Sequence, residues 1–203
     1  MEDPMGLKIG EAHAPGATPM DPDERDGLIP KHIVLKRELD EFEQLNILEG
    51  QDWADKNKNF RKNLLSDESA RKLHKKMFGK TWKWAGTFRR TEKSIGVDPV
   101  KIGVMLHDLL EDVKAWQEFQ TYPIDEQAVR LHHRMVLIHP FPNGNGRHAR
   151  LFADAFLRSC GAEPFSWGRI DLIDPSETRT AYISALQAAD SKDYAPLLAF
   201  VRT

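Results

Sequence analysis

One stretch of twelve residues, His139-Pro-Phe-Pro-Asn-Gly-Asn-Gly-Arg-His-Ala-Arg150, constrains this chain more than any other. Pro140 and Pro142 cannot continue a helix, because proline lacks an amide donor and its ring collides with the preceding turn. Gly144 and Gly146 let the backbone come close to whatever lies beside it. Apolar residues at helical spacing precede the stretch (Val129, Met135, Val136, Ile138) and follow it (Leu151, Phe152, Phe156, Leu157). The pattern predicts a loop between two helices, the second opening at about Asn145. The first amides of a helix have no internal partner and sit at the positive end of its dipole, so they form a ready anion site. Arg147 and Arg150 lie one turn apart, near the same face, and both can fork onto phosphate oxygens. His139 stands just before the loop and can take a proton near neutral pH. A plain turn between packed helices needs one glycine; it has no use for the preceding histidine or the paired arginines.

Helical periodicity dominates the remaining sequence. Leu35, Leu39, Phe42, Leu45 and Leu48 predict a helix over about 33–49, with Gly50 as its stop. Ser66 is a candidate N-cap for a helix running to Phe78. Trp82, Trp84, Thr87, Phe88 and Thr91 around Gly86 read as strand or hairpin, with a second short piece at Ser94-Ile95-Gly96-Val97. Further helices are expected from Val104 to Trp116, Ile124 to Ile138, Asn145 to Cys160, Asp174 to Ala189 and Tyr194 to Val201. Residues 1–30 hold five prolines and four glycines, which exclude a long helix and predict an extended arm. The expected organisation is thus an arm over 1–30 and one mainly helical domain over 31–203.

Composition narrows the function classes. A formal net charge of -2 gives no overall basic excess, so no direct nucleic-acid binding is expected without a local patch. No apolar run approaches the ~20 residues that span a membrane, so no membrane association is expected. The acidic N-terminus has no apolar core, so it does not read as a signal peptide. Cys160 is the only cysteine, and no intrachain disulfide can form, which suits a cytoplasmic location. His132, His133, His139 and His148 match none of the common zinc spacings.

The loop resembles the defining pattern of Fic domains, H-x-F-x-(D/E)-G-N-G-R-x-x-R. It stands here as His139, Phe141, Asn143, Gly144, Asn145, Gly146, Arg147 and Arg150, with Asn143 the one departure. Trp84-Ala-Gly-Thr-Phe-Arg89 is similar to the family's W-A-G-x-(Y/F)-R segment. Tyr182-Ile-Ser-Ala-Leu, Ala189-Asp190 and Pro196-Leu-Leu are similar to its C-terminal helices. Gly16-Ala-Thr-Pro and residues 21–30 resemble the subgroup called mobile mystery protein B.

This resemblance implies a Fic-type helical bundle with a small β-hairpin flap. The implied activity is that of a protein adenylyltransferase, moving AMP from ATP onto a hydroxyl of a target protein of unknown identity. His139 would be the general base. Gly144, Asn145, Gly146, Arg147 and Arg150 would hold the phosphates, and Tyr182 would stack on adenine. Asn143 occupies the position where the family binds Mg²⁺, and it offers a carbonyl oxygen without charge. Glu49-Gly50 resembles the end of an inhibitory motif, (S/T)-x-x-x-E-(G/N), in which Glu49 would take Arg150 from the γ-phosphate. Ser94, Ile95, Gly96 and Val97 would form the target-docking flap. The subgroup resemblance implies a helix-turn-helix partner protein. Two alternatives stay open: a catalytically weak or inactive Fic module that binds nucleotide or a partner, and a variant that transfers another phosphate-containing group.

Overall fold

A computed structural model describes residues 25–169 and 177–203. The first part of the expected arm, 1–24, and the expected helix start at Asp174 lie outside the described residues. Among the described residues eight α-helices are delimited: α1 (Lys36–Lys56), α2 (Lys58–Lys62), α3 (Asp67–Phe78), α4 (Ile102–Glu118), α5 (Ile124–Ile138), α6 (Asn145–Ser159), α7 (Glu177–Asp190) and α8 (Ala195–Val201). The α3 start is as expected, with the Ser66 hydroxyl accepting from the Ser69 amide at 3.2 Å. Single 3-10 turns lie at Pro99–Lys101 and Trp167–Arg169.

Helix α6 runs through the middle and buries Ala149, Leu151, Phe152, Ala153, Phe156 and Leu157. Helix α5 lies along it, α3 packs on its flank, α4 lies along α5, and α1 packs along α3. Burying a large aliphatic or aromatic side chain stabilises by about 1.5–3 kcal/mol. These residues therefore fix the two helices that bracket the Pro/Gly loop. No described helix is long and apolar enough to cross a membrane.

Two expectations need correction. Helix α1 does not stop at Gly50 but continues to Lys56. A Cβ at Gly50 would lie 3.0 Å from the Met77 backbone, so the glycine lets α1 and α3 pack closely. Nor does a β-hairpin form: among the described residues there is no strand, only an isolated antiparallel bridge between Leu28 and Trp82. The segment 82–89 folds instead as turns, with Ala85 N–H bonded to Trp82 O and Thr87 N–H to Trp84 O. Side chains take over the backbone partners a ladder would supply. His74 Nδ1 accepts from the Gly86 amide at 3.0 Å, and Arg71 Nε donates to the Gly86 carbonyl at 3.0 Å. Arg89 does the same for the flap loop 92–97, whose side chains still alternate between half-buried (Lys93, Ile95, Val97) and exposed.

Candidate active site

Helix α5 ends on His139, which adopts a left-handed conformation with φ 52° and ψ 59°. A non-glycine residue pays roughly 1–2 kcal/mol for this. Its carbonyl accepts from Arg89 Nε at 2.6 Å, and the Arg89 amide donates to Pro140 O at 2.9 Å. The imidazole is buried, and its Nδ1 lies 3.3 Å from the Val136 carbonyl. Donation from Nδ1 selects the tautomer that carries the lone pair on Nε2. Burial is the main force that pushes its pKa down to about 4; the Val136 bond opposes this, and Arg89 and Lys93 add to it. His139 is therefore a neutral base at physiological pH.

The loop is held from inside. Phe141 is fully buried and stacks on His74 at 3.8 Å. His74 Nε2 donates to the Asn143 carbonyl at 3.0 Å, so one fully buried imidazole joins the loop to the Gly86 turn. Burial, with His148 next, keeps His74 well below the ordinary histidine pKa. The Asn145 amide bonds both ways to Phe141, accepting from its N–H at 2.9 Å and donating to its carbonyl at 2.7 Å. Its side chain thus braces the loop, leaving only its backbone for an anion.

Gly144 caps α6 at φ 77°, where a Cβ would lie 2.6 Å from Phe78 Cζ, so the fold itself demands glycine. Gly146 differs. A Cβ there would meet only Arg150 Nη1, at 3.9 Å. Nothing in the protein forbids a side chain at Gly146, yet the helix N-terminus is left open there. Arg147 and Arg150 are half-buried beside it. Arg147 lies over the Phe78 ring at 4.9 Å and Arg150 over the Tyr182 ring at 5.7 Å. Arg179 on α7 joins them: burial, then Arg150, with Arg147 adding, lowers its pKa below the usual guanidinium value. Arg179 is thus near enough to Arg150 and Arg147 to be repelled by both, and a gathering of cations favours an anionic occupant.

Several expected site residues are placed differently. Tyr182 is buried, its hydroxyl 2.9 Å from His132 Nε2 and its ring against Phe200, so it supports Arg150 from below and presents no open face to a base. Glu49 is exposed and pairs with Lys80 at 2.5 Å on the surface, rather than with Arg150. Glu43, about one and two-thirds turns earlier, fills the inward position. Buried at 6% exposure, it binds Arg147 Nη1 through Oε2 and the Trp82 indole N–H through Oε1, both at 2.5 Å. The sequence carried a signal for it. The buried stripe of α1 is Leu39, Glu43, Asn46, Gly50 and Ala54, so Glu43 is a carboxylate at a core position. Arg89, His74 and Arg179 were also not singled out; Arg89 alone had a visible cue, as the last residue of the W-A-G-x-F-R segment.

The donor set does not fit a divalent cation held by the protein alone. Asn143 Oδ1 is the one expected ligand, and it accepts from the Gly144 amide at 2.6 Å. Among the described residues no group of three His, Cys, Asp or Glu side chains is placed to hold a metal. His148 is spent on the Ala70 carbonyl at 2.9 Å and His133 on Asp190 at 2.8 Å.

Comparison with known proteins agrees with this geometry. Residues 64–157, which include helix α5, the loop and α6 as far as Leu157, match the profile of the Fic/DOC family. The chain carries a Fic/DOC family domain. Protein adenylyltransferase fic-1 of Caenorhabditis elegans is 33% identical over 120 residues, which are 58% of this chain and 22% of that protein. The chain thus spans about a fifth of the length of the curated relatives it matches. The structure of residues 134–508 of that C. elegans Fic-1 superposes with TM-score 0.59 at 26% identity, covering 88% of this chain and 51% of the other. BepC of Bartonella tribocorum, solved with bound AMPPNP, shares the fold at TM-score 0.66 and 16% identity, over 90% of this chain and 97% of its own. The Fic domain is thus mainly helical, like these neighbours, and the residues that match the family include the loop from His139 to Arg150.

Proposed function

We propose that this Fic domain is a protein adenylyltransferase that moves AMP from ATP to a hydroxyl side chain of another protein. The observation that carries the reading is the convergence of a neutral, buried His139 with the open helix start at Gly146, flanked by Arg147 and Arg150. In this reaction the acceptor oxygen attacks the α-phosphorus and the bond to the β-phosphate oxygen breaks. Pyrophosphate leaves, and His139 Nε2 takes the hydroxyl proton. A positioned base of this kind contributes ~10²–10⁴-fold. The first amides of α6 receive the charge that grows on the phosphate oxygens, and Arg147 and Arg150 hold the outer phosphates. The flap residues Ser94, Ile95 and Gly96 would hold the target segment by its backbone, with Val97 anchoring the flap to Ile138.

Inhibition belongs to Glu43 in this reading. Its carboxylate occupies the guanidinium of Arg147, so ATP must displace a buried ion pair before its phosphates seat. A second reading, nucleotide binding without turnover, is favoured by Asn143, whose amide oxygen is already bonded to Gly144.

The test incubates wild type, Glu43→Gln and His139→Ala with ATP labelled on the α-phosphate, Mg²⁺ and host lysate. Label on protein should rise in Glu43→Gln, which should also bind ATP more tightly, and vanish in His139→Ala, which should still bind it. ATP binding with no label from any variant would replace transfer by the binding reading.

A further inference from the structure

We propose that Arg89 is the positioning residue that fixes the target-docking flap against His139, so that one guanidinium sets the separation between acceptor and base; this rests on the adenylyl-transfer reading.

The geometry is specific. Arg89 is buried at 3% exposure, and four of its side-chain bonds end on backbone carbonyls. Two lie at the base: Nε donates to His139 O at 2.6 Å and Nη2 to Ile138 O at 3.4 Å. Two lie on the flap: Nη1 donates to Thr91 O at 2.8 Å and Nη2 to Val97 O. The Val97 amide adds a bond of 3.5 Å to Ile138 O. The same side chain therefore closes the flap at both of its ends and ties both ends to the last turn of α5. Gly96 seals the junction. With φ 120°, a Cβ there would lie 2.5 Å from Arg89 Nη2 and 2.8 Å from the His139 Cβ, so the flap backbone rests directly on the guanidinium and on the base.

Chemistry explains why arginine is required. A planar fork with five donors can serve carbonyls arriving from two segments at once, whereas a lysine ammonium is a single compact charge. The strained φ of His139 is held by a bond to its own carbonyl, so loosening Arg89 frees the base and the flap together. Because Thr91 O and Val97 O are turned inward, an incoming target segment must pair with the backbone between them, at residues 92–96.

The test compares Arg89→Lys, Arg89→Met and Gly96→Ala with wild type, each carrying Glu43→Gln. Transfer of labelled AMP to lysate proteins should fall about 100-fold in all three, the scale of an ångström-sized misplacement. Affinity for ADP should stay within about twofold, since Arg147 and Arg150 are untouched. Amide exchange, read by mass spectrometry on peptides spanning 92–97 and 138–140, should accelerate in both segments together. Burial sets the low pKa of His139 first, but Arg89 and Lys93 are the cations that face it. The acid limb of the pH profile should therefore move upward in Arg89→Met and not in Arg89→Lys, a response that loss of packing alone would not give. Wild-type transfer rates in folded variants, or unchanged exchange in the flap, would overturn the proposal. If the Glu43→Gln parent transfers no AMP at all, the adenylyl-transfer reading fails, while the exchange data still decide whether Arg89 ties the flap to the base.

Discussion

Replacing Glu43 by glutamine keeps the shape of the side chain and an acceptor for the Trp82 indole, but removes the charge that binds Arg147. The wild-type contact is one charged hydrogen bond of 2.5 Å, with side-chain exposures of 8% for Glu43 and 25% for Arg147. A hydrogen bond to a charged group contributes about 1.5–3 kcal/mol. If ATP must break this bond to use Arg147, its loss should tighten nucleotide binding by roughly 10- to 100-fold, at about 1.4 kcal/mol per factor of ten. The folded state should lose a comparable amount, lowering the melting temperature by about 2–4 °C per kcal/mol for a chain of this size. Calorimetric titration with a non-hydrolysable ATP analogue measures the first effect and thermal unfolding the second. Glu49→Gln is the control. Its exposed pair with Lys80 is of the surface kind that contributes little, so neither quantity should change. An unchanged affinity in Glu43→Gln, or a gain in Glu49→Gln alone, would refute the assignment of the brake to Glu43.

The two loop glycines should separate stability from binding. Gly144→Ala should destabilise by at least ~1–2 kcal/mol from its positive φ alone, with the Phe78 clash added. Gly146→Ala should leave the melting temperature unchanged or slightly raised, yet weaken ATP binding measured by titration. Asn143→Asp should lower the Mg²⁺ concentration that gives half-maximal transfer, because an anionic oxygen binds a hard cation better than an amide; an unchanged Mg²⁺ dependence would separate this position from the metal. Acid should unfold the domain. His132, His139 and His148 have folded pKa values near 3, 4 and 4, and His74 is also lowered, all from an ordinary 6.5. Their contribution is whole above about pH 6.5 and is lost as pH falls towards 4, since the unfolded chain takes up protons first. Asp154, raised to about 6 chiefly by burial, acts in the opposite sense, its contribution present at low pH and lost as pH rises through 6. Melting temperatures recorded from pH 7 to pH 4 should therefore fall, with four imidazoles outweighing one carboxyl.

Much of this was legible in the sequence because it is local. Proline and glycine spacing placed the loop, a capping serine placed α3, and apolar periodicity placed α4 to α6. What failed was information that crosses between elements. A glutamate before a helix-ending glycine looked like the brake, but Glu43 and Glu49 are separated by about 9 Å along the helix and about 120° around it. Only the docking of α1 on α3 decides which of them faces Arg147. Alternating aromatics from Trp82 to Phe88 suggested a hairpin, but alternation records which side chains turn inward, not whether another strand supplies the backbone partners. Arg89 and His74 supply them instead. Tyr182 has the residue type for stacking on a base, and its burial over His132 depends on how α7 seats, which no local pattern encodes.

The buried stripe of α1 has one further consequence. Residues matching the family profile begin at 64, yet Leu39, Glu43, Asn46, Gly50 and Ala54 are part of the same packed interior. Gly50 touches Met77, and Glu43 carries the Trp82 indole. The helix that restrains the arginine is therefore also a wall of the core. Cutting the chain before residue 64 would strip Met77 and Trp82 of cover. Under the proposed role of Glu43, relief of inhibition has to come from a side chain that swings or a charge that changes, because the helix that holds Arg147 is not a detachable part.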